Sequence, residues 1–76
     1  MKEVLTTIIE SLVSDKNSIS IKEVEGQKDI IYEVKVANSD MGKVIGKQGT
    51  IAKAIRAIMK SIAAKENKRV TVEFLD

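Results

Sequence analysis

The residues with the most evident chemistry are the glycines and lysines between Gly42 and Gly49. This segment, Gly-Lys-Val-Ile-Gly-Lys-Gln-Gly, holds three of the four glycines in the chain. Glycine lacks a Cβ and tolerates positive φ, so a phosphate can approach the backbone closely at Gly46 and Gly49. Lys47 adds a positive charge and Gln48 a neutral donor. With the amides of a following helix N-terminus, these groups suit a phosphodiester backbone.

Other glycine motifs fit this segment less well. A nucleotide-binding P-loop has the pattern G-x-x-x-x-G-K-[ST] after a strand. Only three residues separate Gly42 from Gly46, and Gln48 stands where a magnesium-binding hydroxyl is needed. The same glycine spacing occurs in packed membrane helices, but the neighbouring lysines exclude a bilayer. A plain turn between two helices remains an alternative, because an isolated G-x-x-G is weak evidence of binding.

Positive charge is concentrated around the glycines. The 76-residue chain has a net charge of only +2. Residues 35–69 carry nine basic and two acidic residues, a net charge of +7, whereas residues 1–34 carry four basic and seven acidic residues, a net charge of −3. Lys43 lies within the glycine segment, and Lys53 and Arg56 follow it. This distribution favours a polyanionic partner, although a solvated helix face would give the same pattern.

The composition argues against several functional classes. The chain has neither histidine nor cysteine, and Asp40 is the one acid between Lys35 and Lys65. We therefore expect no enzyme activity, no metal, no cofactor and no small-molecule substrate. No apolar run approaches the roughly 20 residues of a membrane helix. The N-terminus also lacks the uninterrupted apolar stretch of a signal peptide, so we expect a cytoplasmic protein that does not bind membranes.

Hydrophobic periodicity predicts the elements that position these residues. We predict one domain over residues 1–76 with an α+β fold, in which helices cover one face of a three-stranded sheet. Alternation in the second strand places Ile30, Tyr32, Val34 and Val36 toward the core. The predicted elements are a helix at 3–14, strands at 19–25 and 30–36, a short helix at 41–45, a long helix at 50–65 and a strand at 70–74. The long helix has an apolar stripe of Ile51, Ala54, Ile55, Ile58, Met59 and Ile62.

The stretch from Val44 to Gly49, V-I-G-K-Q-G, resembles the I-G-x-x-G signature of KH domains, whose glycine loop contacts about four nucleotides through their backbone. The helix-strand-strand-helix-helix-strand order is similar to the type II arrangement. A chain that is one such domain further resembles the small bacterial KhpA family. The family pattern G-[KR]-V-I-G-K-Q-G-x-x-A-x-A-I-R appears as Gly42 through Arg56. One departure is Thr50, where many relatives have a basic residue.

The resemblance implies a type II KH fold with a mixed sheet, and single-stranded RNA binding without catalysis. It implies a post-transcriptional regulator or RNA chaperone connected with cell shape, cell-wall biogenesis and division. It also implies a homodimer and a heteromer with a larger KhpB (Jag/EloR)-type KH protein. The RNA-binding residues carried over or placed nearby are Gly46, Lys47, Gln48, Gly49, Lys43, Val44, Ile45, Lys53 and Arg56.

The expected RNA site is a groove beside the glycine loop. Val44, Ile45 and the edge of the strand ending at Val36 would form an apolar floor for bases. Tyr32 and Phe74 are the only aromatic residues and occupy inward strand positions, so we expect little aromatic stacking and weak, degenerate sequence preference. Single-stranded DNA remains an alternative ligand. A protein-interaction subunit with little RNA affinity is the alternative function.

Overall fold

The computed structural model describes residues 1–75 and confirms the predicted order of elements. Three helices and three strands follow the order α-β-β-α-α-β. They are α1 (Lys2–Leu12), β1 (Ser20–Glu25), β2 (Asp29–Lys35), α2 (Met41–Ile45), α3 (Thr50–Ala64) and β3 (Arg69–Leu75). Single 3₁₀ turns at Lys16–Ser18, Asn38–Asp40 and Lys47–Gly49 lie in the connections. The α+β fold is therefore confirmed.

The sheet is mixed, with β2 in its centre. Its order is β1-β2-β3. β1 pairs antiparallel with β2, and the hairpin closes with the Gly26 N–H donating to the Asp29 carbonyl at 2.7 Å. β3 pairs parallel with β2, since the chain crosses over through α2 and α3 before it returns. The crossover carries the glycine segment, so the loop and the sheet are parts of one connection.

The core lies between one sheet face and the helices. The four predicted inward residues of the second strand region are all buried, with exposures of 5% or less. They pack against Leu5 and Ile9 of α1, which are fully buried. From α3, Ile55 and Met59 complete the same cluster. Burial of these apolar side chains supplies the main stabilisation of the domain. The helices thus cover one face of the sheet, as predicted.

The first helix ends earlier than its apolar pattern predicts. Periodicity extends to residue 14, but α1 stops at Leu12 and Val13 is extended, with φ −93° and ψ 156°. The next two amides, of Ser14 and Asp15, donate to the carboxylate of Asp40 at 3.1 and 3.0 Å. These bonds satisfy the amides outside a helix, so the chain leaves the helix there. Asp40 lies 25 residues away, beyond the reach of a local pattern.

The third helix matches its predicted start and ends one residue early. At its C-terminus Asn67 has φ +57°, and the Lys68 N–H donates to the Ala63 carbonyl at 3.0 Å. Asparagine tolerates this left-handed conformation, which ends helices. The apolar stripe is only partly inward. Ile55 is 2% exposed, whereas Ile58 is 46% exposed.

In the part of the chain that the structure describes, no helix combines the length and the apolar character that crossing a bilayer requires.

Candidate nucleic-acid interface

The glycine loop takes its shape from three residues with positive φ. Gly46 has φ +77° and ψ 173°, Gln48 has φ +59° and ψ 25°, and Gly49 has φ +76° and ψ 14°. The Gly49 N–H donates to the Gly46 carbonyl at 3.1 Å and closes a tight turn. This geometry lets α3 begin at Thr50 immediately after α2 ends at Ile45. The two glycines are therefore required by backbone conformation, as the sequence predicts.

Gly46 also has a steric reason to be glycine. A Cβ added there would lie 2.6 Å from Ile51 Cγ1 and 2.9 Å from the Ile51 backbone nitrogen. Gly49 differs, because a Cβ there would meet nothing within 4 Å. The loop backbone at Gly46 thus packs directly on the first turn of α3, while Gly49 opens toward solvent.

The tip of the loop is accessible. Lys47 and Gln48 are exposed, and Gly46 and Gly49 are partly exposed. The Thr50 hydroxyl donates to the Lys47 carbonyl at 2.9 Å and fixes the loop to the start of α3. The first amides of any helix lack intrahelical partners and carry partial positive charge. The structure therefore brings the Lys47 ammonium, the Gln48 amide and the helix start to one surface.

Lys43 has two protein partners that the sequence does not predict. Its ammonium forms an ion pair with Asp40 at 3.1 Å and donates to the Ser14 hydroxyl. Asp40 is 1% exposed, and backbone hydrogen bonds from Asp15 and Ser14, assisted by Lys43, hold the pKa of its carboxyl below the usual value. Lys43 thus serves a buried carboxylate that joins α1 to the start of α2. The side chain is still 48% exposed, so its contact with phosphate stays a prediction.

Only part of the predicted apolar floor reaches the surface. The side chain of Val44 is fully buried in the core, so it has no surface to offer a base. Ile45 is partly exposed and packs against the core with its inner side. The sequence placed both residues on the groove because they precede the loop. A five-residue helix turns successive side chains by about 100°, and only one of the two can face outward.

The strand ending near Val36 has no free edge, because β2 is paired on both sides. Within residues 1–75, β3 has no partner strand on its far side. Arg56 of α3 lies against this edge: its Nε donates to the Val72 carbonyl at 3.0 Å. Arg56 therefore joins α3 to the outer edge of β3.

Three cations follow one face of α3. Lys53, Arg56 and Lys60 are all exposed, and their spacing of three and four residues aligns them along the helix. Beyond Arg56, a cavity of about 500 Å³ lies between the end of α3 and the start of β3. Its lining includes Lys60 and Arg69, and also Asp29, whose carboxylate lies 3.6 Å from Arg69 Nε. A basic surface thus extends from the loop along the helix.

Other perturbed groups lie away from this surface and are structural. Burial, with the charges of Glu23 and Glu25, raises the pKa of Tyr32 to about 12. A hydrogen bond from Lys68 at 2.6 Å lowers the pKa of Glu25 and joins β1 to the α3–β3 connection. Among residues 1–75, no three His, Cys, Asp or Glu side chains come together as metal ligands would.

The fold and the loop together define a KH domain, with the glycine loop between two helices and parallel β2–β3 pairing. A family model described as "KhpA/KhpB, KH domain" matches residues 2–74. The chain belongs to this KhpA/KhpB family of KH domains.

Curated relatives match over full length. The chain is 57% identical to a protein of Clostridium acetobutylicum over 99% of this chain and 100% of the relative. It is 53% identical to one of Clostridium perfringens, with the same coverage. It is 47% identical to one of Chlamydia pneumoniae over 100% of this chain and 97% of the relative. Each of the three is called "RNA-binding protein KhpA". No solved structure was found to match.

Sequence reasoning missed three residues of this region. Thr50 closes the loop, Asp40 holds Lys43, and Phe74 lies beneath Arg56 with its ring centroid 5.4 Å from the guanidinium carbon. A hydroxyl residue at the start of a helix is a local signal that identifies Thr50. Asp40 and Lys43 are only three residues apart, whereas Arg56 and Phe74 belong to different elements and no local pattern signals their contact.

Proposed function

We propose that this chain is a single-stranded RNA-binding protein that contacts the RNA backbone through Gly46, Lys47, Gln48 and Gly49. The observation that carries the proposal is the exposed loop of three positive-φ residues beside the start of α3. Its support from other proteins is the name "RNA-binding protein KhpA" that full-length relatives carry. The chain would act by binding alone, as a post-transcriptional regulator or RNA chaperone in the cytoplasm.

The backbone would be held mainly by electrostatics and amide hydrogen bonds. Lys47 at the loop and Lys53 one turn into α3 are exposed and can each neutralise a phosphate. For single strands, each neutralised phosphate contributes about −0.7 to the slope of log K against log salt. Affinity from a few such contacts is modest. Ile45 would offer limited apolar contact to a base.

A second protein would raise the affinity by avidity. We propose a homodimer, and a heteromer with a KhpB (Jag/EloR)-type protein. The support is that one family model describes the KH domain of both KhpA and KhpB, and that Ile58 is 46% exposed on α3. Two linked sites raise the effective concentration of each. Sedimentation velocity over a range of concentrations tests self-association, and a single monomer boundary throughout would contradict it.

The alternative is a protein-docking subunit with little RNA affinity. Lys47 and Lys53 on one exposed surface favour the RNA function, because a docking domain does not require cations beside a glycine loop. The RNA titration separates the two functions.

The test replaces the loop tip by acids. Lys47→Asp/Gln48→Asp reverses the charge without touching the glycines, and aspartate tolerates the left-handed φ of Gln48. The control is Gln27→Asp/Lys28→Asp, which changes the same two residue types in the exposed β1–β2 turn. Fluorescence anisotropy with short RNA and DNA oligomers measures affinity, and circular dichroism checks folding.

We expect the loop variant to lose RNA binding and the turn variant to retain most of it. RNA and DNA oligomers of one sequence report whether the 2′-hydroxyl contributes. Equal affinity of the parent and the loop variant for RNA would refute binding through the loop. No RNA binding by the parent would favour the docking subunit.

A further inference from the structure

The guanidinium of Arg56 is fixed on one side by two contacts. Its Nε donates to the Val72 carbonyl at 3.0 Å, and its central carbon lies 5.4 Å from the centroid of the Phe74 ring. The residue is nevertheless exposed. Phe74 is partly buried against the core, so its ring is a rigid support for the guanidinium. A side chain that usually moves freely in solvent is here held in one place.

The free edge of β3 provides the hydrogen-bond acceptor. The Arg69 N–H donates to the Lys28 carbonyl, so Arg69 directs its backbone groups toward β2. Backbone groups alternate in direction along a strand, and Val72 therefore directs its carbonyl away from the sheet. Arg56 satisfies this acceptor. This bond uses one of the five guanidinium N–H donors and fixes the group beside the strand.

A guanidinium held in this way still has its second face and the N–H groups of its two Nη atoms. The group is planar and stacks on rings, whereas an ammonium does not. Proteins that recognise single-stranded RNA stack unpaired bases on aromatic rings and on arginine planes. Phe74 is partly buried beneath Arg56, whereas Arg56 is exposed beside the outer edge of β3.

We propose that Arg56, held by Phe74 and the Val72 carbonyl, is a base-stacking residue. The inference rests on the proposed RNA-binding function. Arg56 follows Thr50 by six residues, a distance of about 9 Å along α3. Successive nucleotides of a stacked strand rise about 3.4 Å along its axis, so the stacked base belongs about two or three nucleotides from the loop.

The test couples a protein change to the removal of single bases. Arg56→Lys keeps the charge and loses the plane. Its affinity is measured by anisotropy for one short RNA and for a set of derivatives, each with one abasic position. Lys53→Gln on the same face of α3 is the matched control, and thermal melts monitored by circular dichroism check each variant.

With the parent, we expect one abasic position to weaken binding at least about fivefold, the lower end of the range for stacking of one base. With Arg56→Lys, the same position should have no further effect. Lys53→Gln should keep the abasic effect and reduce the salt slope by about 0.7. An abasic effect that is equally large in Arg56→Lys would overturn the stacking role.

A second variant tests whether the ring of Phe74 is needed to hold Arg56 in its stacking position. Phe74→Leu keeps an apolar residue at the core but removes the ring beneath the guanidinium. We expect it to reduce the abasic effect while Arg56 itself is unchanged. A full abasic effect in Phe74→Leu would also count against the proposal. If the parent binds no RNA, the proposed function fails, whereas binding without this coupling removes the stacking role alone.

Discussion

The three glycines of the loop region should differ sharply in their tolerance of alanine. At Gly46 the backbone has φ +77° and ψ 173°, a region that is essentially restricted to glycine. Holding alanine there costs about 1–3 kcal/mol. The added Cβ would also lie 2.9 Å from the Ile51 backbone nitrogen, and a backbone atom cannot move aside cheaply.

Overpacking of this kind costs about 1–3 kcal/mol in addition. Gly46→Ala should therefore lower the free energy of unfolding by about 2–6 kcal/mol. For 76 residues the whole free energy of unfolding is about 4–11 kcal/mol. The substitution thus removes a large share of it, and the melting temperature should fall by at least about 10 °C.

Gly49 and Gly42 are the matched controls. At Gly49 the space is open but φ is +76°, so alanine should cost only about 1–2 kcal/mol. Gly42 lies within α2, has open space and has no positive φ, so alanine should stabilise by about 0.5–1 kcal/mol. Urea denaturation followed by circular dichroism measures all three. Equal losses at Gly46 and Gly49, or a stabilising Gly46→Ala, would refute the steric account.

Two further predictions concern charge. The pKa of the Asp40 carboxyl is lowered by backbone hydrogen bonds, so its contribution to stability is complete above the ordinary pKa near 4 and is lost as pH falls through the lower folded value. Thermal melts from pH 7 to pH 3 should show the parent well above Asp40→Asn at pH 7 and converging with it below about pH 4. Glu10→Gln is the control for loss of a carboxylate, and a difference that stays constant with pH would contradict the assignment. In RNA titrations, Lys47→Gln should reduce the salt slope by about 0.7, while Lys43→Gln should change the slope less and lower the melting temperature. An equal change in slope for both would show that Lys43 also contacts phosphate.

Local patterns determined most of the fold. The alternation of Ile30, Tyr32 and Val34 predicted the buried face of β2, and all three are buried. The glycines predicted the loop, and Gly46 and Gly49 both have the positive φ that the prediction required. In each instance the cause is local: a two-residue repeat, a 3.6-residue repeat or a missing Cβ.

The structure departs from these local patterns where a distant residue decides the outcome. α1 ends at Leu12 because Asp40 accepts the amides that follow. Lys43 is near the loop in sequence, but the same buried carboxylate turns its ammonium toward Ser14. Which strand has a free edge depends on sheet order, which periodicity does not specify. The contact between Arg56 and Phe74 depends on that order as well.

The glycine loop lies within the α2–α3 crossover, so under the proposed function a bound strand would stabilise that crossover. β2 and β3 can pair in parallel only after α2 and α3 have folded back across the sheet. The chain turns between these two helices at Gly46. A strand bound across the turn would clamp both helices, so the occupied protein should open more slowly than the empty one. In a domain of this size, bound nucleic acid would add stability that the small core does not supply.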